Sequence, residues 1–274
     1  NLELLDKIGC FQYEYMADYA AAKRTFDYAE NLSLDGKVNA TVEELSTIWT
    51  NLASVHLRLG DTNNSLYYYT KALNARIELY GEQYPKTAIS CMNLGVFYSE
   101  VRNDIKALEY FQRAYQIFKG LEIENEDYIL LCSNMSIVYS KLGRFDEAKD
   151  LIEEAKCKAD DFLPADSFLK INIFNNYGSI LKDQGEFDKA KENLIIAQDL
   201  CHKLLGNNHP KNALILNSLA IWANSNGDID QALEYSKQVL SLSIAVYGEY
   251  HPEVSTAYNN LGVLSSEKGN ISYA

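Results

Sequence analysis

Proline is nearly absent from this chain, with 4 residues in 274, and glycine is sparse at 14. So few turn formers exclude a many-turned β sandwich. No apolar run approaches the roughly 18 residues of a membrane-spanning helix, and no signal peptide opens the chain. The five cysteines are odd in number and contain no Cys-x-x-Cys pair, so neither a disulfide framework nor a zinc site is expected. Cations are in deficit: 25 Lys and Arg against 38 Asp and Glu leave a net charge of -13. Nucleic acid and anionic membranes need clustered cations, so neither is an expected partner, and a protein partner is expected to be neutral to basic. No nucleotide motif, Ser-His-Asp order or catalytic carboxylate pair stands out, so no cofactor, metal or enzymatic activity is expected. The opening Asn1, in place of a methionine, predicts a piece of a longer protein.

The sequence does contain a long repeat. Asn51-Leu52-Ala53 returns as Asn93-Leu94-Gly95, Asn134-Met135-Ser136, Asn176-Tyr177-Gly178, Ser218-Leu219-Ala220 and Asn260-Leu261-Gly262, at spacings of 42, 41, 42, 42 and 42. A degenerate first copy places Cys10 in the small slot, 43 residues before Ala53. Seven residues after the small residue comes a break at Ala17, Gly60, Arg102, Gly143, Gly185, Gly227 and Gly269. Five later sits a second small residue (Ala22, Ser65, Ala107, Ala148, Ala190, Ala232, Ala274). Four later again stands a large one in most copies: Phe26, Tyr69, Phe111, Ile152 and Leu194. Spacings of three, four and seven mark one face of a helix, so each copy reads as helix, tight turn, helix. Small residues let two antiparallel helices approach closely while larger neighbours fill the gaps. Gly36, Gly81, Gly120, Gly206 and Gly248 are expected to end the second helices. The four prolines, at 85, 164, 210 and 252, all fall between repeats.

These landmarks resemble the tetratricopeptide repeat from about Leu5 to Ala274. The 42-residue period, with Tyr80-Gly81-Glu82-Gln83-Tyr84-Pro85 and its counterparts ending in His209-Pro210 and His251-Pro252, is similar to the kinesin-light-chain subtype. The resemblance implies an all-α fold: a right-handed superhelical solenoid of about thirteen helices in antiparallel pairs. It also implies that residues 1–274 form a single array of about seven repeats (3–45, 46–87, 88–128, 129–170, 171–212, 213–254 and a truncated 255–274).

Such an array carries a concave face lined by first helices. The resemblance places Asn51, Asn93, Asn134, Asn176 and Asn260 on that face, with Asn175, Asn217 and Asn259 one position earlier. Val96, Ile137 and Ile221 stand three positions later. Carboxamides offer the donors and acceptors that an extended main chain needs, and the apolar track suits alternate side chains. The alternative is that the asparagines only bond neighbouring helices. The expected function is a non-catalytic, cytoplasmic protein-binding scaffold that takes a peptide or helical segment. A second reading is a sensor arm controlling a protease, kinase or NTPase domain elsewhere in the protein. The cations Lys7, Arg58, Lys141 and Lys182 are dispersed, which disfavours a carboxylate clamp.

Overall fold

A computed structural model of the protein describes residues 2–14, 16 and 18–269. Among the described residues all regular structure is helical, in thirteen helices and no strand. They are α1 (Leu2–Glu14), α2 (Tyr19–Leu34), α3 (Val42–Arg58), α4 (Thr62–Tyr80), α5 (Pro85–Glu100), α6 (Asp104–Gly120) and α7 (Glu126–Lys141). There follow α8 (Phe145–Phe162), α9 (Phe168–Asp183), α10 (Phe187–Leu205), α11 (Pro210–Ser225), α12 (Ile229–Tyr247) and α13 (Pro252–Glu267). The break expected at Ala17 and the small slot at Ala274 lie outside the described residues.

The chain forms two compact units, residues 1–131 and 132–274. In the first, α1 packs on α2, α3 on α4 and α5 on α6, and neighbouring pairs meet through α2–α3 and α4–α5. The second repeats this with α9 on α10 and α11 on α12, joined through α8–α9, α10–α11 and α12–α13. First helices also touch one another, α1 with α3 and α3 with α5, and in the second unit α9 with α11.

Local chemistry sets each pair. Within a repeat the first helix closes on a left-handed residue: Gly60 N–H donates to Leu57 O and Asp61 N–H to His56 O. Asp61 then caps α4 at once by accepting from the Asn64 N–H, so the turn costs few residues. The same closure holds at Gly143, Gly185 and Gly227. Pro85, Pro210 and Pro252 occupy the first turns of α5, α11 and α13, whereas Pro164 sits in the loop before the cap Ser167.

At two closures the left-handed residue is not glycine. Arg102 has φ 60 and Glu122 has φ 55. The second differs from expectation: α6 runs through Gly120, and Glu122 makes the turn instead. A side chain in this conformation costs about 1–2 kcal/mol. Arg102→Gly is therefore expected to raise stability by about 1 kcal/mol, read as a higher urea midpoint at unchanged slope.

The small slots work by steric contact. A Cβ on Gly95 would lie 2.5 Å from the Phe111 ring, and one on Gly178 would lie 2.7 Å from Leu194 Cγ. The large residues that fill these gaps, Phe26, Phe111, Ile152 and Leu194, are all fully buried. The same test corrects the first repeat. Gly9 is buried and a Cβ there would stand 2.5 Å from the Phe26 ring, while Cys10 is only half-buried. Gly9, not Cys10, holds the small slot, which moves the register of α1 back by one residue.

Candidate functional site: the first-helix face

The corrected register makes the asparagines intelligible. Asn51 Nδ2 donates to Asp6 Oδ1 at 2.7 Å, Asn176 Nδ2 to Ser133 Oγ at 3.0 Å, and Asn260 Nδ2 to Asn217 Oδ1 at 3.2 Å. With Gly9 as the small residue, Asp6 is one position before the asparagine slot of α1, as Ser133 and Asn217 are in α7 and α11. One rule covers all three bonds: the asparagine of one first helix reaches the residue just before the matching slot of the preceding first helix. Burial raises the pKa of the Asp6 carboxyl, and the bond from Asn51 opposes that rise.

The rule does not hold at every copy. The matching position for Asn93 is Thr50, whose hydroxyl donates to Ser46 O at 2.8 Å within its own helix, and no bond joins Asn93 to it. Asn93 and Asn134 make no side-chain hydrogen bond among the described residues, and both are half-buried. Asn175, Asn176, Asn217 and Asn260 are also half-buried, and Asn259 is exposed. Of the apolar track, Val96 and Ile137 are half-buried, whereas Ile221 is 48% exposed. The asparagine positions therefore hold two populations, amides that join helices and amides that are free.

In the second unit the face carries a depression of about 310 Å³. Ile137, Asn176 and Ile221 line it from α7, α9 and α11, with Ser179, Ser218, Trp222 and Leu194 completing the wall. Trp222 is held by an indole N–H bond to Phe187 O at 2.8 Å. The charged lining residues are Lys141, Lys182 and Asp183. Asp183 is engaged already, accepting from Ser140 Oγ at 2.7 Å and pairing with Lys182 Nζ at 2.5 Å. Sequence reasoning had placed Ile137, Asn176 and Ile221 on one face. It had no means of finding Trp222, which belongs to the buried row until the helices are assembled.

The other polar groups support the fold. Glu30, nearly buried in α2, accepts from Trp49 Nε1, Tyr68 Oη and Lys71 Nζ, tying α2, α3 and α4 together. Burial pushes its pKa up, but these donors outweigh that and hold it below the usual carboxylate range. His209 and His251 cap α11 and α13 by accepting backbone N–H bonds at Nδ1. Burial, and Lys211 beside it, lower the pKa of His209 and so favour the neutral ring that the cap needs. Burial raises the Cys91 thiol to about 11, which leaves it inert. Among the described residues no three His, Cys, Asp or Glu come together as a metal site, and no helix is long and apolar enough to cross a membrane.

A model described as the tetratricopeptide repeat matches residues 44–120, 90–156, 169–243 and 213–272, and the chain belongs to that family. Its fold is similar to that of apo RapI, at 15% identity over 99% of this chain and 93% of RapI, with a TM-score of 0.69. It is also similar to a Rap protein complexed with competence and sporulation factor (16% identity, 98% and 76% coverage, TM-score 0.65). The kinesin light chain TPR-like repeats of Podosopora anserina match at 17% identity, 76% and 98% coverage and a TM-score of 0.56. No curated protein matches the chain significantly. The family consists in general of non-catalytic protein–protein interaction scaffolds.

Proposed function

We propose that the first-helix face receives a peptide or short helical segment of a protein partner in a concave groove, and that the chain performs no chemistry of its own. The observation that carries this reading is the depression in the second unit, where three successive first helices contribute Ile137, Asn176 and Ile221 to one apolar and amide-lined surface. The free amides of Asn93, in the first unit, and of Asn134, in the second, each offer the same chemistry for main-chain recognition. A net charge of -13 steers neutral to basic partners toward the chain, and association is expected to slow as salt rises. The five free cysteines suit a reducing compartment such as the cytoplasm. The Rap protein of similar fold, found complexed with competence and sporulation factor, is a precedent for such a scaffold holding a partner.

Peptides selected from a displayed random library test the reading. Ile221→Asp is expected to weaken their binding at least tenfold, since a charge would then face the apolar anchor, while leaving the far-ultraviolet spectrum and melting point near the parent's. Ile195→Asp serves as control, because Ile195 is 39% exposed on the second helix α10. Equal losses from both substitutions, or a loss only from Ile195→Asp, would sink the proposed face.

A further inference from the structure

Three first helices begin on proline, and histidine caps two of them. Tyr84 makes no side-chain cap bond before α5, whereas His209 and His251 accept at Nδ1 before α11 and α13. A histidine accepts at Nδ1 only as the neutral ring protonated at Nε2. The oxygen caps of this chain, such as Thr41, Asn103 and Ser167, accept under no such condition. His209 stands at the start of the helix that carries Ser218, Ile221 and Trp222 of the depression. Its Nδ1 accepts from the Lys211 N–H at 3.1 Å, and its carbonyl accepts from the Asn212 N–H at 2.9 Å. The Lys211 N–H belongs to the first turn, where no carbonyl of the same helix can reach it.

We propose that His209 is an acid-sensitive fastener of α11: the neutral ring holds the first turn closed, and its protonation releases that turn. Three effects act against an imidazolium in this place. The Lys211 N–H already points its proton at Nδ1, so a second proton there would set donor against donor. The N-terminus of a helix carries partial positive charge and repels a cation. The Lys211 ammonium adds its own charge from the same turn, where its Nζ donates to Asn172 Oδ1 of α9 at 3.3 Å. Neighbouring elements offer no compensation. From α9 comes the neutral Asn172, and from α10 the Cys201 thiol beside Lys211, whose pKa burial raises. Among the described residues Lys211 is the charged group that acts on the ring, and with burial it lowers the ring's pKa. In the unfolded chain the same histidine titrates at about 6.5, above the folded ring, so acid favours the open turn. The fastening is complete above about pH 6.5 and is lost as pH falls through the folded value.

Magnetic resonance of the nitrogen-15-labelled protein tests the fastener directly. At about pH 7.5 the His209 ring is expected to carry its proton on Nε2. On acidification the ring and the Lys211 amide should titrate together, with a midpoint below about 6.5. Two variants then separate the cap from general acid effects, and His251 is present in both, so its own titration cancels. His209→Asn supplies an acceptor that does not titrate, and its Lys211 amide should stay in place across the range. Between about pH 7.5 and about pH 5 the melting point of the parent should fall about 2–4 °C further than that of His209→Asn. His209→Ala has no acceptor at any pH; it should melt below the parent at the higher pH, and the difference should narrow in acid. A ring protonated on Nδ1 at about pH 7.5, or a midpoint at or above about 6.5, overturns the proposal. So does a His209→Asn variant whose melting point falls as far as the parent's.

Discussion

Phe111→Ala is expected to lower the stability of the first unit by about 3–5 kcal/mol. The ring is fully buried and fills the space that Gly95 leaves on the facing helix α5. Truncation removes that contact and opens a cavity that α5 and α6 cannot close without giving up their neighbours α4 and the first helix α3. The reciprocal change acts through crowding. Gly95→Ala places a methyl 2.5 Å from the ring, which the buried Phe111 has no room to vacate, at a cost of about 1–3 kcal/mol. The two effects are coupled: once Phe111 is alanine, the added methyl of Gly95→Ala should cost little or even fill part of the cavity. A double-mutant cycle by urea denaturation measures this directly. Additive losses would mean that Gly95 is required for a backbone reason and not to admit Phe111.

That pair shows why so much of the fold was legible in the sequence. Gly95 and Phe111 lie 16 residues apart, as do Gly178 and Leu194, and the interval recurs because every repeat solves the same packing problem. Periodicity, small slots and turn glycines therefore agreed, and agreement across levels is what makes a sequence readable. The first repeat was misread for the same reason. Gly9 and Cys10 are both small, and spacing alone cannot choose between them; only the position of the Phe26 ring does. Nothing in the sequence marks Glu122, because glycine two residues earlier, at 120, is the cheaper place for a helix to end. The backbone instead kept Gly120 helical and accepted a left-handed glutamate.

The candidate site was legible only in outline. The face of a helix follows from the repeat, so Asn176 and Ile221 could be assigned to one surface of the second unit, and Asn93 to the first-helix face of the first. What each amide does depends on the residue one helix away. Asn176 finds the Ser133 hydroxyl, whereas Asn93 makes no bond to Thr50 at the matching position. Neither outcome is written in the asparagine.

The neighbouring residues Asn93, Leu94 and the equivalent Asn176 carry the second large prediction. Leu94 is fully buried, so Leu94→Ala is expected to cost about 2–5 kcal/mol of folding stability. Asn93 stands next to it on the helix but is half-buried and makes no side-chain hydrogen bond, so Asn93→Ala should leave the melting point nearly unchanged. Asn176→Ala falls between: it removes the bond to Ser133, a buried hydroxyl that then loses its donor, and about 0.5–1.5 kcal/mol should go with it. Partner affinity is expected to follow a different order, with Asn93→Ala weakening binding if its free amide grips a main chain and Leu94→Ala affecting it only through folding. Chemical denaturation and peptide titration on the same three variants separate the two orders. If Asn93→Ala and Leu94→Ala lose stability alike, Asn93 is packed inward and the first-helix face is misassigned. If Asn176→Ala costs nothing, the bond between successive first helices does not hold the repeats in register.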